Sequence, residues 1–163
     1  MMDKKCNDDP FMSDYRAIER LVLDYVKYGK LIIAYDYDST VFDFHRRGDT
    51  FTKVIGLLRE CRPYAKLIVY THSDDVRHGE IIEYLDKHDI PWDTINEGIV
   101  WVNSKREGKL FYSHFLDDRA GLRSAYLILD KAIDIIKQKP TNSEEAYGML
   151  KERGYTFTYD GNK

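Results

Sequence analysis

Residues 30–40 read KLIIAYDYDST. The apolar run from Leu31 to Tyr35 shows no alternation, as a parallel strand buried on both faces requires. It stops at two acids one residue apart, Asp36 and Asp38. Sheets of such strands bind ligands at the carboxyl ends of the strands. The two acids therefore fall where a ligand would sit. The competing reading of the pair is a solvated turn that simply ends the strand.

Outward from this strand, helical and strand patterns alternate. Residues 10–28 predict a helix, with Tyr15, Ile18, Leu21, Val22, Tyr25 and Val26 at three- and four-residue spacing. Asp9-Pro10 is its start signal and Gly29 its stop. The stretch DTFTKVIGLLREC (49–61) predicts a helix that presents Phe51, Val54, Ile55 and Leu58 on one face, capped by Asp49 or Thr50. AKLIVYT (65–71) is a second buried strand, followed by a helix over 73–89 capped by Ser73 or Asp74. WDTIN (92–96) is a short strand, and KLFYSHFLDD (109–118) contains another that again ends in paired acids. An amphipathic helix over 121–139 is broken by Pro140, and 142–155 predicts a last helix. TFTYD (156–160) reads as an edge strand or an ordered tail. The expected fold is α/β, three-layered and Rossmann-like, with a mostly parallel central sheet. The expected organisation is a helix over 1–29 packed on a core of 30–139, with 140–163 adding a helix and tail to the same domain.

Composition narrows the class. The 163 residues suffice for one domain with a core. No apolar run approaches the ~20 residues of a membrane span. The polar start MMDKKCNDDPF has no apolar signal core, which points to a cytoplasmic protein with no membrane partner. Cys6 and Cys61 make no disulfide framework, and Cys61, late in a helical pattern, reads as a small core residue. A formal net charge of −3 carries no global nucleic-acid signal. No Gly-x-x-x-x-Gly-Lys loop is present, which disfavours an NTP-driven kinase.

Three predicted strands end in groups with chemical potential. The first ends in Asp36-x-Asp38-x-Thr40, the second in Thr71 followed by His72 and Ser73, and a later one in Asp117-Asp118. In a parallel sheet these ends share one edge. Four carboxylates there repel strongly in a low-dielectric cleft and call for a cation. Carboxylate oxygens without a histidine or cysteine ligand set suit Mg2+, which takes one or two carboxylates with substrate phosphate and water. Two acids at this spacing can divide nucleophilic attack from proton transfer. Helix capping is the competing reading for Asp117-Asp118, and backbone bonding the competing reading for Thr71.

The motifs AYDYDSTVFD, LIVYTHS and GKLFYSHFLDDRAGL, in this order, resemble those of the haloacid dehalogenase (HAD) superfamily of phosphatases. The resemblance spans residues 30 to 137. It implies a Mg2+-dependent phosphatase acting through an aspartyl-phosphate, with Asp36 as nucleophile and Asp38 as general acid and base. It implies phosphoryl binding by Thr71 and Lys109, with Lys105 the competing lysine, and a contribution from Thr40. It further implies Mg2+ held by Asp36, Asp117, Asp118 and the backbone carbonyl of Asp38. Ser39 departs from the family pattern, which has glycine at that position. Only FHRRGD separates the first motif from the next helix, so a capless member with an open site is expected. An open site suits a large phosphorylated substrate such as a nucleic-acid end, or else a neighbouring subunit of a homo-oligomer covers it. Two basic loops, His45-Arg46-Arg47 and Lys105, Arg106 and Lys109, would draw an anionic substrate, with Arg46 and Arg47 touching it. Asn96-Glu97 also comes within reach of the cleft as a specificity pair, and Arg119 is expected to pair with a carboxylate. The alternatives are a small-molecule nucleotidase or sugar phosphatase and, from another class, a receiver-like phosphate-binding module without turnover.

Overall fold

The protein is described by a computed structural model over residues 9–99 and 110–155. Four parallel strands form an open sheet in the order β3-β2-β1-β4, with β1 Leu31–Tyr35, β2 Ala65–Val69, β3 Thr94–Ile95 and β4 His114–Leu116. The helices are α1 Asp14–Tyr28, α2 Thr52–Cys61, α3 His78–Lys87, α4 Leu122–Ile136 and α5 Ser143–Glu152. All five residues of β1 are buried, as the unbroken apolar run requires. Tyr35 is fully buried, and its hydroxyl donates to the Pro91 carbonyl at 3.0 Å, so its polar end is satisfied.

The sheet is covered unequally. Leu31, Ile33 and Tyr35 face one core together with Leu67, Val69 and Leu116, and all five described α-helices contribute buried residues to it. Ile32, Ala34 and Ile68 face the other way, against Ile99, Leu110, Tyr112 and Phe115. Strand order explains this. Right-handed crossovers from β1 to β2 to β3 put α2 and α3 on one face. Of the return from β3 to β4, the described residues Ile99, Leu110 and Tyr112 lie against the opposite face. Among the described residues that connection supplies only loop residues, so the expected third, helical layer is not found there. α1 packs on α4, α5 and β1, which ties both ends of the described chain to the same core.

Element ends differ from expectation for local reasons. The first helix begins at Asp14 rather than residue 10, because Ser13 is extended (φ −99°, ψ 126°) after a 3-10 turn over Pro10–Met12. Gly29 ends it in the left-handed region (φ 76°), where glycine carries no Cβ penalty, and its N–H donates to the Tyr25 carbonyl. α2 is capped by neither Asp49 nor Thr50. Its N-cap is Phe51, itself left-handed at φ 51°. α3 starts at His78 behind a 3-10 turn over Asp75–Arg77, without a side-chain cap from Ser73 or Asp74. Cys61 is buried in the core, and burial pushes its thiol pKa up, which leaves it unreactive. His114 is buried too, with Nε2 2.7 Å from the Ala125 carbonyl, and burial lowers its pKa. No described helix is long and apolar enough to cross a membrane.

Candidate functional site

The strand ends meet as the parallel topology requires. Asp36, the first residue past β1, donates its N–H to the Leu116 carbonyl of β4 (2.8 Å), while Tyr70 donates to the Tyr35 carbonyl from the β2 side (2.8 Å). This ladder brings Asp36 beside the 117–118 turn. One carboxylate oxygen each from Asp36, Asp117 and Asp118 lies within 4.8 Å of the others. A cleft of about 630 Å³ opens over them, lined by Asp36, Asp38, Thr71, Asn96, Asp117 and Asp118, with Ser39, Phe44, His45, Tyr70, His72 and Arg119 around it.

The loop that carries Asp38 is built tightly. The Tyr37 carbonyl accepts from the N–H groups of Thr40, Val41 and Phe42, and Ser39 donates to the Phe42 carbonyl at 2.9 Å. This turn forces Ser39 to φ 60°, the left-handed region that glycine adopts without strain. The Tyr37 ring stacks on Phe42 (4.9 Å, 10°), and both meet Tyr84 of α3 edge-on. Three interlocked rings thus fasten the loop to the helical layer. Thr40, expected at the substrate, is fully buried, does not line the cleft, and accepts the Asp118 N–H on Oγ1 (3.1 Å). Its hydroxyl positions the second acidic turn against the first.

Asp117 accepts the Arg119 N–H at 2.7 Å, and the N-cap of α4 is Gly121, without a side-chain cap. The capping reading of Asp117-Asp118 therefore falls, although one Asp117 oxygen is engaged by the Arg119 N–H, and both residues line the cleft. Arg119 was expected to pair with a carboxylate; it makes no ion pair among the described residues and lines the cleft instead. Its guanidinium is thus a cation at the cleft.

Thr71 is buried and held on both sides. The Asn96 side chain accepts the Thr71 N–H on Oδ1 and donates from Nδ2 to the Thr71 carbonyl, each at 2.8 Å. The Ser73 N–H donates to Thr71 Oγ1 at 3.1 Å, which leaves the hydroxyl proton free to donate into the cleft. Asn96 itself sits at φ 52°, a conformation asparagine tolerates better than most residues. Its reach to the cleft was legible, but its use as a brace was not, because the partner lies 25 residues away. Asn96→Ala leaves two backbone groups without partners. It is expected to cost about 1–3 kcal/mol, read as a lower midpoint in urea unfolding.

Asp43, to which the sequence assigns no role, folds the 43–48 loop by accepting from the N–H groups of Arg47 (3.0 Å) and Gly48 (2.7 Å). These bonds lower its pKa. An acid four residues before an Arg-Gly pair was the only local signal. Within this loop His45 reaches the cleft lining, whereas Arg46 and Arg47 are exposed and do not line it. Lys105, Arg106 and Lys109 lie outside the described residues.

Electrostatics and donor chemistry fit a hard dication. Burial raises the Asp36 carboxyl to about 7, and the charges of Asp117, Asp118 and Asp38 add to the effect, against the bonding of the Tyr37 N–H. Asp38 Oδ1 is buried without a hydrogen-bond partner. Three converging carboxylate oxygens, one of them on a carboxyl whose pKa burial and like charge raise, are a donor set that could hold a divalent cation. No protein-family model matches the chain, no curated protein matches it, and no solved structure matches it. What the cleft does has to be read from its own chemistry.

Proposed function

We propose that the chain is a Mg2+-dependent phosphatase of the HAD type, without a cap domain, that hydrolyses phosphomonoesters. The observation that carries this reading is the meeting of Asp36, Asp117 and Asp118 oxygens within 4.8 Å at the end of a parallel sheet, with Asp38 two residues from Asp36. The segment 36–51, between β1 and α2, holds only turns and one isolated bridge, which agrees with an open site. Asp36, Asp117, Asp118 and the Asp38 carbonyl would hold Mg2+, which would neutralise the carboxylates and the phosphoryl oxygens.

The residues then divide the work. An Asp36 oxygen attacks phosphorus and the ester P–O bond breaks. Asp38 gives its proton to the departing oxygen. Thr71 donates its free hydroxyl hydrogen to a phosphoryl oxygen. Asp38 next takes a proton from a water molecule that attacks the phosphorus of the aspartyl-phosphate. The acyl-phosphate bond breaks, phosphate leaves, and Asp36 is restored. A receiver-like module would keep the phosphoryl group. A carboxylate two residues from the proposed nucleophile and lining the same cleft favours turnover.

The test is hydrolysis of an aryl phosphate by the full chain with and without Mg2+. Phosphate release that depends on Mg2+ and is lost with a chelator is expected. No Mg2+-dependent turnover by clean wild-type protein overturns the enzyme reading.

A further inference from the structure

The cleft carries rings that the phosphoryl chemistry does not use. Phe44 is 51% exposed and Tyr70 43% exposed, and both line the same cleft as Asp36 and Thr71. They arrive from different strand ends, Phe44 from the loop after β1 and Tyr70 directly before Thr71. Each is oriented by a neighbour. Tyr70 stands edge-on to Phe115 at 5.7 Å and 78°, and Phe44 to His45 at 5.2 Å and 83°. Oriented yet exposed rings at a cleft offer stacking surface to a planar ligand.

The side chains around the rings narrow the ligand further. His45, His72 and Arg119 also line the cleft and offer hydrogen bonds. A sugar phosphate has no aromatic face to stack. A phenyl ring has a face but no polar edge for these side chains. A nucleobase has both, and a cleft of about 630 Å³ lies within the range of small-ligand sites. Asp36, Asp38, Asp117 and Asp118 line the cleft with Arg119, and the phosphomonoester reading places one phosphate among them. We propose that the Phe44–Tyr70 rim receives the base of a nucleoside monophosphate whose phosphate lies at Asp36 and Thr71. The proposal rests on the phosphatase reading for the position of the phosphate.

Binding and turnover are measured separately so that the two readings fail separately. In the inert Asp36→Asn background with Mg2+, calorimetry compares AMP, ribose 5-phosphate and a phosphotyrosyl peptide. AMP is expected to bind at least about tenfold more tightly than either of the others. Adding Phe44→Leu or Tyr70→Leu is expected to weaken AMP about tenfold while changing ribose 5-phosphate by less than about twofold. Thermal melts check that the variants fold. Equal affinities for AMP and ribose 5-phosphate, a preference for the peptide, or equal losses for both small ligands overturn the proposal. Wild-type turnover of an aryl phosphate is read alongside. Turnover without ring dependence sinks the base site alone. Ring-dependent AMP binding without turnover sinks the phosphatase and keeps the base site.

Discussion

Asp36→Asn should abolish phosphate release and, in the absence of metal, stabilise the protein. The first effect follows from removing the proposed nucleophile, and a fall of at least about a thousandfold is expected in kcat. The second follows from the crowding of acids. Burial and three neighbouring carboxylates raise the Asp36 carboxyl to about 7 in the fold, against an ordinary value of 3.8. Below about pH 4 the carboxyl is protonated both folded and unfolded and contributes nothing. Between about pH 4 and 7 the unfolded chain ionises while the folded one holds its proton, so stability falls as pH rises. Above about pH 7 the whole cost is present. Asparagine removes it. After allowance for solvent around a half-exposed group, the gain should reach about 1–2 kcal/mol at pH 8 and vanish near pH 4. Urea unfolding at the two pH values, in chelator, measures this. Millimolar Mg2+ should then reverse the order at pH 8, because the proposed site binds the ion in the wild type and, short of one ligand, binds it more weakly in the variant. A variant less stable than wild type in chelator at pH 8 would contradict the electrostatic account.

The second large effect belongs to Asp38 and depends on the substrate. Asp38→Asn keeps the shape of the side chain but removes the proton that the leaving oxygen needs. An alkyl phosphate, whose leaving group is strongly basic, should lose about 10²- to 10⁴-fold in kcat/KM. An aryl phosphate bearing a good leaving group needs little protonation. It should still form the aspartyl-phosphate, then stall, because nothing activates the water. The expected signature is a burst of phenol close to one equivalent followed by a slow steady rate. Equal losses on both substrates, without a burst, would place Asp38 outside proton transfer. Its place in the cleft, two residues from Asp36, is the reason to expect the role.

Some parts of this molecule are local matters and were readable as such. β1 and β2 announce themselves because a strand buried on both faces cannot alternate. The helices announce themselves because one face of each is apolar at the helical period. Asp36, Asp38, Asp117 and Asp118 could be picked out because parallel strands carry whatever follows them to one edge, and all four line one cleft. Helix starts were less legible. Asp49, Thr50, Ser73 and Asp74 are good capping residues by type, but Phe51 and Arg77 occupy the cap positions instead. Backbone conformation in the preceding loops decides that, and those loops are shaped by contacts with other segments.

The sequence by itself determined the period of each element, the order of the strands and helices along the chain, and the placing of acids directly after strands. These depend on residues within a few positions of one another. Only the tertiary structure decided that the five described α-helices share one core against the sheet, that Thr40 turns inward to hold Asp118, and that Asn96 braces Thr71. It also decided that Arg119, Phe44 and Tyr70 line the cleft. The physical reason is that a buried hydrogen bond is made with whichever group the fold brings near. Thr40 finds its partner 78 residues away and Thr71 finds its own 25 residues away, distances over which spacing carries no information.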